Sequence, residues 1–138
     1  MKKFDVQSIQ LPVSQTIAFN YIADRYNLPA WTNAFSDVSA TTAILKTPAG
    51  EVNIDLEVVA DESTGIVDWI MKFPDASLAK ACSRVLSIDD SNCSYTFTLF
   101  APPVPLSELE GTLNQQSKIL ADELVALQTI LQNKVAAA

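Results

Sequence analysis

The sequence predicts an α+β fold in which a curved antiparallel sheet of about six strands is covered by one long C-terminal helix, with two short helices near the N-terminus. Three observations carry this reading. Strand-length apolar runs recur between residues 38 and 100, separated by turn sequences of only three to five residues. Such links are too short for crossover connections and suit antiparallel hairpins. The segment 101–105, Ala-Pro-Pro-Val-Pro, then stops the ladder, because proline cannot donate to it. From Leu106 the apolar period changes from two to the threes and fours of a helix.

Residues 4–13 read as the first strand. Phe4 and Val6 are out of phase with Ile9, Leu11 and Val13, which predicts a bulge or an edge. Ser14 suits the N-cap of a helix starting at Gln15, with Ile17, Ala18, Tyr21 and Ile22 as its inner stripe. Asp24 or Asn27 is placed to cap a second short helix whose first turn tolerates Pro29. Strands are then expected at about 38–47, 51–60, 66–73, 78–89 and 93–100. The closing helix carries Leu106, Leu109, Leu113, Leu120, Leu124, Leu127 and Leu131, with a gap at Gln116, and should run to about Asn133. Its nearly heptad spacing also fits a coiled coil. The sheet needs a cover, however, and a helix of this length supplies one.

Side chains alternate across a strand, so a register predicts which residues share a face. Val52, Ile54, Leu56 and Val58 alternate with Glu51, Asn53, Asp55 and Glu57. The first set is inward, and the second is a solvated face rather than a metal or acid–base site. Pairing through the turn at 61–65 brings Val67, Trp69, Met71 and Phe73 to the same inner face. A two-residue turn at Asp90-Ser91 pairs Asp89 with Asn92, Leu86 with Tyr95, and Arg84 with Phe97. On that register Arg84, Leu86 and Ile88 join Tyr95, Phe97 and Leu99 on the apolar side, and Cys82 and Cys93 are inward-facing free thiols. A buried guanidinium needs a carboxylate, a carbonyl, a ligand anion or an aromatic face. Arg84 is therefore either a ligand anchor or a side chain that reaches to the rim. Gln116, beside Ser117, fits a polar-tolerant cavity or an edge contact with a strand carbonyl. The candidate ligand-contacting residues are Trp69, Met71, Arg84, Leu86, Tyr95, Phe97, Leu113, Gln116 and Leu120.

Composition narrows the function classes. The 138 residues suit a single domain spanning 1–138, with 49% hydrophobic and 18% charged residues. Nine Lys and Arg against sixteen Asp and Glu give a net charge of −7. No basic cluster is present, so neither nucleic acid nor an anionic membrane surface is an expected partner. No apolar run approaches the length of a membrane span, and no signal-peptide core follows Met1-Lys2-Lys3, so a cytoplasmic location is expected. There is no histidine. That removes Ser–His and Cys–His nucleophiles and HExxH zinc chemistry. The three glycines cannot build a phosphate-cradling loop, and the two cysteines make no CxxC motif. No catalytic constellation, metal site or cofactor is predicted.

Residues 18–31, AFNYIADRYNLPAW, resemble the opening of the START-like, or SRPBCC, superfamily. The blocks at 67–75 and 115–124 (QQSKILADEL) are similar to small bacterial members, and the likeness spans nearly the whole chain. It implies the helix-grip fold, with an apolar cavity between the sheet and the closing helix. Superfamily members bind lipids, polyketides, plant hormones or steroids, and some cyclise or dehydrate polyketides. Their catalytic residues are not shared, so none is carried onto this chain. The resemblance implies binding of a small hydrophobic molecule without a cofactor. A cyclase or dehydratase using groups such as Arg84 and Tyr95 is the enzymatic alternative. A third is an interaction module of the START-like co-chaperone kind, using Ile66 and Ile70 on the outer face and compatible with a homodimer.

Overall fold

The computed structural model describes residues 3–47, 50–100 and 106–136, with side chains described except at 47, 106–113 and 136. In chain order the elements are β1 (Phe4–Leu11), α1 (Gln15–Ala23), a 3-10 turn (Arg25–Asn27), α2 (Leu28–Trp31), β2 (Phe35–Val38), β3 (Thr42–Thr47), β4 (Gly50–Asp61), β5 (Ile66–Lys72), β6 (Leu78–Asp89), β7 (Asn92–Phe100) and α3 (Leu106–Ala136). The seven strands form one antiparallel sheet in the order β1-β7-β6-β5-β4-β3-β2. The seventh is β2, which precedes the strand expected at 38–47 and shares only Val38 with it. Just after it, Ser39 accepts from the Thr42 amide at 3.1 Å and turns the chain, so that β2 folds back on β3.

The helix signals work locally as the residue chemistry dictates. Ser14 Oγ accepts from the Ile17 amide at 3.3 Å and starts α1. The inner stripe is Ala18, Phe19, Tyr21 and Ile22, whereas Ile17, expected inward, is exposed. Asp24 accepts from the Tyr26 amide at 3.0 Å and opens the 3-10 turn that leads into α2. Asn27 instead donates to the Tyr21 carbonyl at 3.0 Å.

The parity expected for β4 and β5 is observed: Val58 pairs with Trp69 and Leu56 with Met71, all on the inner face. The last hairpin differs. Asp89 does pair with Asn92, but Ser87 pairs with Cys93, leaving Ile88 as the extra residue of a bulge. Every residue of β6 before it changes face. Ser83 pairs with Phe97 and Val85 with Tyr95, and Ser83 and Val85 are buried. Arg84, Leu86 and Ile88 lie exposed, and Cys82 shares their outer side. Conversely, β1 carries no bulge: it pairs continuously with β7 from Phe4↔Phe100 to Leu11↔Cys93. Its phase holds because Asp5 and Gln7 point inward and meet Ser117 of α3, while Phe4 and Val6 are exposed.

Helix α3 lies along β1 and against α2. Leu120, Leu124, Leu127 and Leu131 are buried, so the helical stripe is covered within the chain, as a sheet-gripping helix requires. The leucines at 106, 109 and 113 fall outside the described side chains. No helix among the described residues is long and apolar enough to cross a membrane.

Candidate functional site

Small residues on β6 create the site. Its inner positions Ala79, Ala81 and Ser83 stand between the large inner residues of β5 and β7. Over them Trp69 from β5 stacks on Phe97 from β7, with ring centroids 5.9 Å apart and planes inclined by 27°. Phe97 meets Tyr95 edge-on at 6.4 Å, and Tyr95 meets Trp31 edge-on at 6.4 Å. Trp31 closes the circuit on Trp69 at 6.3 Å. Offset and edge-to-face contacts at these distances are favourable for aromatic quadrupoles. Trp31 is delivered by α2, whose four residues end where Thr32 returns its amide to the Leu28 carbonyl at 2.9 Å.

The polar atoms of this ring are left over. Tyr95 is fully buried, and Trp31 and Trp69 are each only 3% exposed. Their hydroxyl and indole N–H groups make no hydrogen bond among the described residues. A buried polar group without a partner costs on the order of 1–3 kcal/mol. Burial drives the Tyr95 hydroxyl far above the usual phenol range. The adjacent Ser83 hydroxyl offsets a part of that rise, while the charges of Asp68 and Glu123 add to it. Ser83 gives its own proton to the Val67 carbonyl at 2.6 Å.

Glu123 is, with Asp68, one of two carboxylates whose charge reaches Tyr95. It lies three residues after Leu120 and four before Leu127, on the flank of the buried stripe of α3. Its Oε2 accepts from the Asn33 amide at 2.7 Å, just beyond the exit of α2. Burial raises its carboxyl above the ordinary range, and the Asn33 N–H pulls it partly back.

Of the residues singled out from sequence, Trp69, Tyr95 and Phe97 come together in the ring. Met71 is half-buried on the same face, Leu120 is buried on the helix opposite, and Gln116 is half-buried one turn earlier. Leu113 lies outside the described side chains. Arg84 and Leu86 do not belong: both sit on the outer face, where Arg84 Nε donates to the Thr64 carbonyl at 2.9 Å. The cause is the one-residue shift at Ile88. Trp31 and Glu123 were not among the sequence candidates: Trp31 belongs to the 28–31 block that the resemblance marks as packing and turn residues, and Glu123 adjoins the buried Leu124 of the helical stripe. A shallow depression lined by Gln10, Pro12, Asn92, Gln128 and Gln132 carries neither a titratable nor an aromatic side chain. Among the described residues no group of three or more Cys, Asp or Glu is placed to hold a metal ion.

No family model and no curated protein sequence matches the chain. Solved structures do. The protein XoxI from Bacillus cereus superposes with a TM-score of 0.69 at 16% identity, over 95% of this chain and 96% of that one. A START superfamily protein from Mycobacterium smegmatis gives 0.65 at 8% identity, over 96% and 99%. The Zhui aromatase/cyclase from Streptomyces sp. R1128 gives 0.63 at 8% identity, over 96% and 95%. The chain has the START-like, or SRPBCC, helix-grip fold. At these identities the likeness is one of fold, so the chemistry must be argued from the aromatic ring and Glu123.

Proposed function

We propose that the protein binds a small hydrophobic molecule, of lipid, polyketide or aromatic type, against the ring of Trp31, Trp69, Tyr95 and Phe97 beneath α3. The single observation that carries this is that the Trp31 and Trp69 indole N–H groups and the Tyr95 hydroxyl, all deeply buried in a largely apolar wall, make no hydrogen bond among the described residues; the Nε of half-buried Arg25 is likewise unpaired. A dry, finished core would pair those groups or replace them with carbon. A ligand site is where an apolar enclosure with a few unpaired polar groups belongs. The fold shared with a START superfamily protein supports the reading. The protein is further proposed to act as a single cytoplasmic domain.

A second reading, a cofactor-independent cyclase or dehydratase, is favoured by Glu123. A part-buried carboxyl with a raised pKa, held by the Asn33 amide and close enough for its charge to act on Tyr95, is a candidate general acid or base. The name of the Zhui aromatase/cyclase points the same way. Native mass spectrometry of the freshly purified protein tests binding, and a hydrophobic adduct released on denaturation is expected. An apo mass, together with unchanged tryptophan emission across a panel of hydrophobic probes, would overturn it. Loss of turnover in Glu123→Gln with retained binding would single out the enzymatic reading.

A further inference from the structure

We propose that the segment 28–33, which carries Trp31, is the wall of the site that swings to admit the ligand, and that Glu123 of α3, holding the Asn33 amide, is the clasp that keeps it shut. The inference rests on the binding reading above and gives that site its way in.

Three of the four rings are built into the sheet. Trp69 sits on β5, and Tyr95 and Phe97 on β7, with β6 paired to both strands. Trp31 instead comes from the four residues of α2, which lie between a 3-10 turn and the start of β2 at Phe35. Both ends of this stretch are pinned. Before it, Arg25 Nη2 donates to the Leu56 carbonyl of β4 at 2.9 Å, and Asn27 donates to the Tyr21 carbonyl at 3.0 Å. After it, the Lys46 amide of β3 donates to the Ala34 carbonyl at 2.7 Å. Between these pins, Thr32 directs both its amide and its hydroxyl to the Leu28 carbonyl within the same turn. Among the described residues a single hydrogen bond joins 28–33 to another element, from the Asn33 amide to Glu123 Oε2 at 2.7 Å. The Trp31 indole N–H adds none. A segment tied so sparsely opens locally at far smaller cost than a strand in a ladder.

Protonation decides how firmly the clasp holds. Glu123 is half-buried against the segment it ties, and swinging that segment away exposes it to water. Burial raises its carboxyl above the ordinary range, so the shut wall binds the proton more tightly than the open one. By linkage the shut form is favoured in acid, and opening becomes easier as pH rises through the pKa of the shut form. Among the described residues only burial and the Asn33 amide move the Glu123 carboxyl. Residues 28–34 contain no titratable group. The Tyr95 hydroxyl on β7, within reach of the Glu123 charge, stays protonated, and Asp68 acts on it from β5. Arg25 is engaged by the Leu56 carbonyl, Asp5 of β1 is bonded to Ser117, and Lys134 of α3 lies over Tyr21.

Two readouts on the full chain test this. In a ¹⁵N-labelled sample the two indole N–H signals, assigned by the loss of one in Trp31→Phe, report solvent exchange at equally buried sites, each 3% exposed. The ratio of their rates cancels the intrinsic pH dependence of exchange. Entry is followed by the stopped-flow emission of N-phenyl-1-naphthylamine, a neutral hydrophobic probe. Trp31 should exchange about tenfold or more faster than Trp69 at about pH 8, and the ratio should fall at about pH 5. Association and dissociation of the probe should both slow about threefold or more over the same change, with Kd little altered. Glu123→Gln keeps an acceptor and loses the charge, so it should show the acid behaviour at both pH values. Asn33→Pro removes the amide donor, and the preceding Thr32 already has the extended backbone that proline demands, with ψ at 152°. It should raise the exchange ratio in acid, and the opposite directions of the two variants separate a clasp from general loosening. Equal exchange of the two indoles, with probe rates independent of pH, would overturn the movable wall and leave the binding reading standing. A pH response that persists in Glu123→Gln would overturn the clasp. Failure of the probe to bind the wild type and both variants would overturn the binding reading and this inference together.

Discussion

At Gly65 the backbone takes a φ of +77°, and an added Cβ would lie 1.9 Å from the Val85 carbonyl oxygen. The obstacle is backbone, and the same two residues are tied by the Val85 amide donating to the Gly65 carbonyl at 2.8 Å. Gly65→Ala must therefore distort the pairing of β5 with β6 as well as strain its own φ. A loss on the order of 3 kcal/mol in urea denaturation is expected, and a change below about 1 kcal/mol would contradict this close approach. Glu123 sets a different kind of residue-scale test. Its carboxyl holds a proton more readily folded than unfolded, because burial raises its pKa from 4.5. The stability this group contributes is thus complete below that value and is lost as pH rises through its folded pKa. Wild type and Glu123→Gln should have similar urea midpoints at about pH 4 and diverge towards neutrality, with the Gln variant the more stable. Asp61, Asp75 and Asp89, held below 3.8 by turn hydrogen bonds, act with the opposite sign and only in more acid solution. Parallel curves for the two proteins across pH 4–8 would show that Glu123 is solvated.

Among the elements, α3 shows how far sequence reaches. The Leu120, Leu124, Leu127 and Leu131 stripe was legible because burying one helix face leaves a period that no other structure produces. Leu124→Ala should cost roughly 2–5 kcal/mol, whereas Val125→Ala, one residue on and 55% exposed, should be nearly neutral. Comparable effects at the two positions would mean the helix is not gripped on that face. The inner faces of β4 and β5 were equally legible, since clean alternation fixes their phase. For β6 the alternation was ambiguous. Ala79, Ala81, Ser83 and Val85 are less conspicuously apolar than Leu86 and Ile88, yet they are the inner set. Hydropathy alone favours the wrong face here, and only the bulge at Ile88 decides. The inner face of β6 must be small because two tryptophans, a tyrosine and a phenylalanine meet above it. Arg84 fell on the wrong side for this reason. Trp31 and Glu123 escaped for another: which helix end meets which strand is a tertiary fact with no local period.

For the whole molecule, Cys93 offers a reporter. It pairs with Leu11 across β1 and β7, is fully buried, and its thiol is pushed up to about 11 by that burial. Cys82 sits half-buried on the outer face, its thiol also raised, first by burial and then by Asp68. Both are free, so a thiol reagent counts two sites on the unfolded chain. In Cys82→Ser only Cys93 remains, and a thiol that is both buried and protonated reacts only when the sheet opens. Labelling in native buffer should then follow the population of the open form, provided that closing is faster than chemistry. Adding Leu124→Ala, which loosens α3 without touching β7, should accelerate labelling by about 30-fold or more, as a loss of about 2 kcal/mol demands at 1.4 kcal/mol per tenfold. An unchanged rate would mean that Cys93 is reached by local fraying of β1, and that the grip of α3 and the closure of the sheet are separate events. Acceleration in step with the urea stability of the same variants would show that helix and sheet open together, as expected of a core closed on one side by a single long helix.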